Sequence, residues 1–179
     1  LYTSKLNIFD SSKWKIFKRH KKDVLLENFQ VFKNYVVLET RKTGLPQLLF
    51  INKKNKKENY VEFKDSAYAA NLSYNENYDS NSFKYEYSSL ITPPTIYSQS
   101  FFSKRRKKIW QQKYNNFKEN IYVTSRLLIK GRDGKKIPVS ILYKKGINLE
   151  SAPLLIYGYG SYGLIVEPSF KLSFLPLVD

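Results

Sequence analysis

No cysteine and no methionine occur among the 179 residues, and there is one histidine, His20. The lack of cysteine excludes disulfide staples, thiolate zinc sites and cysteine nucleophiles, and fits a reducing, cytoplasmic setting. A single histidine confines every histidine-dependent chemistry to one position, in a basic stretch. The chain opens Leu1-Tyr2-Thr3-Ser4 with neither an initiator methionine nor a basic-then-apolar leader, which predicts a piece of a longer chain. Long apolar runs are also missing. The best one, Pro153-Leu154-Leu155-Ile156-Tyr157, is broken at Gly158, far short of a membrane span, so a soluble protein without membrane contact is expected.

What the sequence does have is aromatic and basic. Hydrophobic residues make up 42% and aromatics 16%, with 15 Tyr and 12 Phe, which excludes a disordered chain and favours a β-rich, aromatic-packed fold. The net charge of +16 raises nucleic acid as a partner. That charge is mostly lysine, whose point charge contacts phosphate without reading sequence. Two clusters, Lys53-Lys54-Asn55-Lys56-Lys57 and Lys104-Arg105-Arg106-Lys107-Lys108, fall between strand-like stretches, where solvated turns belong. Nucleic-acid binding is therefore the weaker expectation. A genome rich in A and T accounts for abundant Lys, Asn, Ile, Tyr and Phe without any binding role.

Short apolar runs separated by polar turns dominate the first part of the chain. Val24-Leu25-Leu26, Phe29 to Leu38, Gln47 to Ile51 and Tyr60 to Phe63 are strand candidates, split by Thr43-Gly44-Leu45-Pro46 and by the first lysine cluster. In Phe83 to Ile91 the alternating Phe83, Tyr85 and Tyr87 share one face of a strand. Pro93-Pro94 ends it, because proline cannot donate to a ladder. Ile96 to Phe102 and Lys108 to Trp110 read as a further hairpin. Repeated four-stranded antiparallel units suit propeller blades, and a sandwich would read similarly. A boundary belongs near residue 118. Beyond it, Ile121 to Ile129 and Ile137 to Tyr143 form a hairpin around the Asp133-Gly134 turn signal. The run Pro153 to Tyr157 reads as a strand buried on both faces, as in an α/β sheet.

Chemistry, if present, concentrates in Gly158-Tyr159-Gly160-Ser161-Tyr162-Gly163. Gly158, Gly160 and Gly163 satisfy a dinucleotide fingerprint in form, but the helix and the acidic residue that give it meaning are not supplied. A nucleophile elbow centred on Ser161 fails because Tyr159 stands where a small residue must let the turn close. Two readings stay open. One is a glycine-rich loop at the end of a buried strand that contributes part of an oxyanion hole; the other is a glycine turn with tyrosines packed nearby.

The segments Arg132 to Lys145 and Pro153-Leu-Leu-Ile-Tyr-Gly-Tyr-Gly-Ser-Tyr-Gly163 resemble the prolyl oligopeptidase family of serine peptidases. Arg19-His20, Asp23 to Glu27, Phe32, Phe83 to Leu90, Thr92 to Tyr97 and Phe170 to Asp179 extend the resemblance over nearly the whole chain. The Tyr-Gly-Ser-Tyr-Gly ending points to a branch of the family that cleaves after Lys or Arg. The resemblance implies C-terminal blades of a seven-bladed β-propeller over residues 1–117, then the opening strands of an α/β-hydrolase domain over 118–179. It makes Tyr159 the tyrosine whose hydroxyl stabilises the tetrahedral oxyanion, and sets Tyr162 near the pocket for the residue before the scissile bond. Short peptides are the implied substrates, and no cofactor or metal is implied. The nucleophilic serine, the aspartate and the histidine of the triad would lie beyond residue 179, so the isolated chain is expected to be inactive. His20 has the wrong place in the chain for the triad. Asp133 fits a hairpin turn, and Glu167, which precedes Pro168, has no partner visible in sequence, so neither is given a catalytic role. A basic nucleic-acid-binding module and a non-catalytic propeller scaffold are the alternatives, and open strand edges predict poor solubility.

Overall fold

The computed structural model describes all residues, 1–179. Two four-stranded antiparallel sheets carry most of the order. The first contains β3 (Val24–Val31), β4 (Tyr35–Lys42), β5 (Leu45–Asn52) and β6 (Glu58–Tyr60), adjacent in that order. Ahead of it, β1 (Tyr2–Thr3) and β2 (Lys15–Ile16) make a small ribbon. The second sheet contains β7 (Tyr68–Leu72), β8 (Ser82–Ser89), β9 (Thr95–Ser100) and β10 (Arg106–Gln111), again in simple meander order. This up-and-down connectivity is that of propeller blades.

The expected single run from Phe29 to Leu38 is two strands. Phe32, Lys33 and Asn34 turn the chain, with the Phe32 amide donating to the Tyr35 carbonyl at 2.8 Å and the Lys33 amide to Tyr78 at 2.9 Å. Apolar content alone does not mark such a turn, because Phe32 is itself buried in the core. Upstream, Val24-Leu25-Leu26 and Phe29 belong to one strand, β3, interrupted by a bulge. Leu26 pairs with Thr40 and Asn28 with Glu39, leaving Glu27 without an opposite residue. The β4–β5 turn has two residues, Thr43 (φ 51°) and Gly44 (φ 79°), with Lys42 paired to Leu45. Positive φ at both central positions is the geometry that matches strand twist in a two-residue hairpin.

The facing sides of the two sheets enclose an aromatic core in which Tyr35, Val37, Leu48 and Phe50 of the first meet Tyr68, Phe83, Tyr85 and Tyr87 of the second. Phe83, Tyr85 and Tyr87 all lie inward, as their alternation predicts. Phe101 stacks on Tyr35 at 4.3 Å and meets Phe83 at 5.3 Å. A core built from tyrosine must satisfy hydroxyls, and it does. The Tyr68 hydroxyl donates to the Pro46 carbonyl at 3.0 Å and that of Tyr87 to the Asp65 carboxylate. Desolvation and the Asp65 carboxylate drive the Tyr87 phenol far above its usual pKa. On the other side of the first sheet, Val36, Leu38, Leu49 and Ile51 are covered by Leu1 and Phe17, so β4 and β5 are buried on both faces.

After residue 117 the structure thins. Strands β11 (Tyr122–Lys130) and β12 (Lys136–Lys144) pair only with each other, in continuous register from Tyr122 opposite Lys144 to Lys130 opposite Lys136. The Asp133-Gly134 turn closes them as expected, with the Gly131 amide on the Lys135 carbonyl at 2.8 Å, and Asp133 caps the Lys135 amide at 3.1 Å. A short helix, α1 (Leu175–Val178), ends the described structure. Tyr122, Phe170 and Leu175 form a small separate core with Tyr114 and Phe117 beside it.

Residues 153–157 correct the sequence reading. They form no strand, and Leu154 and Ile156 are 80% and 82% exposed. A parallel strand draws its hydrogen bonds from neighbours on both sides, and this chain places none there. No α/β-hydrolase domain is formed by residues 118–179.

Candidate functional site

The glycine loop hangs at the end of this extended segment. Tyr159 is 52% exposed and Tyr162 94% exposed. The turn is tight: the Leu164 amide donates to the Ser161 carbonyl at 3.1 Å, with Tyr162 (φ 56°) and Gly163 (φ 68°) both left-handed. A tyrosine in that region is uncommon, and glycine at the next position is what the turn chemistry favours. A Cβ at Gly158 or Gly160 would meet nothing within 4 Å, so backbone and ring on this loop are open to an incoming group. The loop is thus an accessible hydroxyl on a glycine-flanked backbone, suited to donating a hydrogen bond to a developing oxyanion.

The segment just after the loop is tied down, at a place the sequence did not reveal. Arg41, on β4, is only 8% exposed, yet it is fully engaged. Its Nε donates to Glu27 Oε1 at 2.7 Å, its Nη2 to Glu167 Oε1 at 2.5 Å and its Nη1 to the Gly44 carbonyl at 3.2 Å. Nη1 also approaches Glu167 Oε2 at 3.4 Å, so the guanidinium addresses both carboxylate oxygens. Burial pulls the Arg41 pKa down, but the hydrogen bonds and charges of Glu27 and Glu167 outweigh it and hold it above the ordinary value. Glu27 is the bulge residue, which is how a strand presents a carboxylate outside its ladder. No residue near Glu167 in the chain pairs with it; its partner stands 126 positions earlier, a separation no local pattern encodes.

The β4–β5 turn is held from a second direction. Arg126 of β11 donates to the Thr43 carbonyl, and a Cβ on Gly44 would sit 3.1 Å from Pro138 Cγ on β12. Further along, the Phe170 amide donates to Ser88 Oγ at 2.9 Å, fastening the same segment to β8. One hairpin tip of the first sheet therefore touches both the β11–β12 ribbon and the stretch after the glycine loop.

The remaining sequence candidates stay apart from this junction. His20 is exposed in the segment before β3, far from the loop in the chain. No group of three or more His, Asp or Glu side chains is placed to hold a metal ion. Both lysine clusters lie at or beside hairpin turns, and several members have local partners. Lys56 sits over the Phe17 ring at 4.3 Å, Lys104 pairs with Glu62, and Arg106 donates to the Glu62 carbonyl at 2.8 Å. No helix is long and apolar enough to cross a membrane.

Comparison with known proteins agrees with the architecture. Residues 1–113 match the family model described as prolyl oligopeptidase, N-terminal beta-propeller domain. The chain belongs to the prolyl oligopeptidase family of serine peptidases. Among relatives, it is 35% identical over 168 residues to dipeptidyl aminopeptidase BI of Pseudoxanthomonas mexicana, covering 93% of this chain and 23% of that protein. It is 25% identical over 156 residues to Protease 2 of Moraxella lacunata, covering 86% and 22% respectively. Among solved structures, oligopeptidase B from Trypanosoma brucei, in a closed form with covalently bound antipain, superposes with a TM-score of 0.83 at 30% identity, over 96% of this chain and 25% of that one. The chain thus spans about a quarter of the length of these three proteins. The matched description is that of an N-terminal domain, so the expectation of C-terminal blades gives way to the coarser assignment: these sheets belong to the family's propeller domain.

Proposed function

We propose that this chain is part of a serine-type oligopeptidase acting on short peptides after Lys or Arg, in which Tyr159 donates its hydroxyl to the oxyanion formed at the scissile carbonyl. The observation that carries the reading is the Tyr159-Gly160-Ser161-Tyr162-Gly163 loop, open to solvent, with the segment that follows it tied to sheets of the family's propeller domain. In acyl transfer the carbonyl oxygen gains charge as the nucleophile adds, and a donor aimed at that position lowers the barrier without itself reacting. Tyr162, on the same turn, would line the pocket for the residue before the cleaved bond. The serine, histidine and aspartate come from outside this chain, so residues 1–179 alone are inactive. The division falls near residue 118, with the propeller part before it and, after it, strands that join the peptidase domain of the longer protein. The lack of cysteine supports a cytoplasmic, reducing location.

The test is Tyr159→Phe within the complete reading frame that contains this chain, assayed on peptides with Lys, Arg or Pro before the cut. Loss of one oxyanion donor lowers kcat by roughly 100- to 1,000-fold with little change in KM. An unchanged kcat removes Tyr159 from the mechanism, and faster cleavage after Pro than after Lys or Arg overturns the proposed specificity.

A further inference from the structure

Arg41 stands in an unusual charge balance. One buried guanidinium faces two carboxylates, and only one of them, Glu27, comes from its own sheet. A single carboxylate is enough to neutralise a buried arginine, whereas leaving it with none would be strongly unfavourable. Glu167 is therefore the dispensable partner. If the segment bearing it moves away, Arg41 keeps Glu27 and the Gly44 carbonyl, and the first sheet holds no orphaned charge. Glu167 in turn is 29% exposed at its side chain, so water receives it readily when it leaves.

We propose that Arg41 and Glu167 form a releasable clasp: Glu27 keeps the guanidinium charged and oriented on the propeller side, and Glu167 is the catch that holds the segment following the glycine loop. The fork geometry matters, since two donors of Arg41 address both oxygens of Glu167 and fix its direction as well as its distance. The catch lies four residues beyond Gly163 and three before Phe170, whose amide makes the second attachment to the sheets through Ser88. Opening the catch therefore frees residues 158–169 while Phe170 still anchors the end. The importance of this for the placement of Tyr159 rests on the proposed function; the clasp itself does not.

Hydrogen exchange on the full 179-residue chain, compared among wild type, Glu167→Gln and Glu27→Gln, tests the clasp without any assay of peptidase activity. Expected is a rise of about tenfold in exchange at the Leu164 and Ser169 amides, the hydrogen-bonded ones of the freed segment, in Glu167→Gln, with the Phe170 amide and those of β4 and β5 unchanged. Glu27→Gln keeps the catch closed and leaves exchange at Leu164 and Ser169 at the wild-type rate or slower. Adding Arg41→Gln to Glu167→Gln frees the segment no further. Unchanged exchange at Leu164 and Ser169 in Glu167→Gln overturns the clasp. So does a rise spread equally over β4 and β5, or an equal release in both single variants. Because Tyr159→Phe is judged by turnover and the clasp by exchange, either can fail while the other stands.

Discussion

Gly44 and Pro138 lie so close that a methyl group on the glycine would meet the proline ring at 3.1 Å. The contact joins the tip of the β4–β5 hairpin to β12, and it adds a steric demand to the conformational one, since Gly44 has φ 79°. Gly134 has the same φ but open space around it. Gly134→Ala is expected to cost about 1 kcal/mol, from backbone strain alone. Gly44→Ala costs about 1 kcal/mol or more beyond that, because Pro138 must shift as well. Denaturant midpoints of the two variants measure the difference, and equal losses would mean that the approach to Pro138 carries no energy.

Phe83 is fully buried between the sheets, in contact with Phe50, Tyr85 and Phe101. Phe83→Ala should destabilise the chain by about 3–5 kcal/mol through lost transfer energy and a residual cavity. Phe9, which is 87% exposed, is the control: Phe9→Ala should fall within about 0.5 kcal/mol of wild type. Thermal melts followed by near-ultraviolet circular dichroism separate the two.

Glu39 should make the chain less stable as the pH rises. Desolvation is the main cause that lifts its pKa above the ordinary 4.5, against the Leu72 amide, which donates to its carboxylate and pulls the other way. With the folded pKa above the unfolded one, the folded state binds more protons between the two values. The contribution of Glu39 is thus full below about pH 4.5 and is lost as pH passes through the raised folded value. Glu39→Gln keeps an oxygen for the Leu72 amide and removes the titration. The variant should gain on wild type in denaturant midpoint as the pH rises above about 4.5; parallel curves would rule out a raised Glu39.

Strand β3 is an open edge of the first sheet, and it exposes Leu25, Phe29 and Val31. Such an edge templates pairing with another chain. Concentration-dependent association should follow in sedimentation experiments, and Phe29→Lys should reduce it, a charge on an edge strand being a common guard against pairing. Association unaffected by Phe29→Lys would locate the sticky surface elsewhere.

Most of the two meander sheets was legible because its information is local, although β7 (Tyr68–Leu72) carries no such signal. Alternation at Phe83, Tyr85 and Tyr87 and the Asp133-Gly134 turn each act over a few residues and appear where the pattern puts them, whereas the expected Thr43 to Pro46 turn closes within Thr43-Gly44, with Leu45 and Pro46 in β5. The break at Lys33-Asn34 was hidden because its immediate neighbours, Phe32 and Tyr35, are both aromatic and both buried. The run Pro153 to Tyr157 misled for the opposite reason: its composition suits a central strand, but a strand is made by its neighbours. The Arg41 junction was invisible for want of any short-range signature. Arg41 and Glu27 fall outside the strand candidates with nothing to mark them, and Glu167 reads as a loop carboxylate before a proline; only the bulge in β3 and the return of the chain bring them together.

The bulge at Glu27 has a bearing on how the chain is made. Arg41 leaves the ribosome more than a hundred residues before Glu167, at a time when the hairpin around Gly44 can already close. Throughout that interval Glu27, fourteen positions upstream and already synthesised, is the counter-ion that lets β4 bury its arginine. The first sheet can therefore complete itself during translation without waiting for the glycine loop, and the late-arriving carboxylate docks onto a guanidinium already held in position.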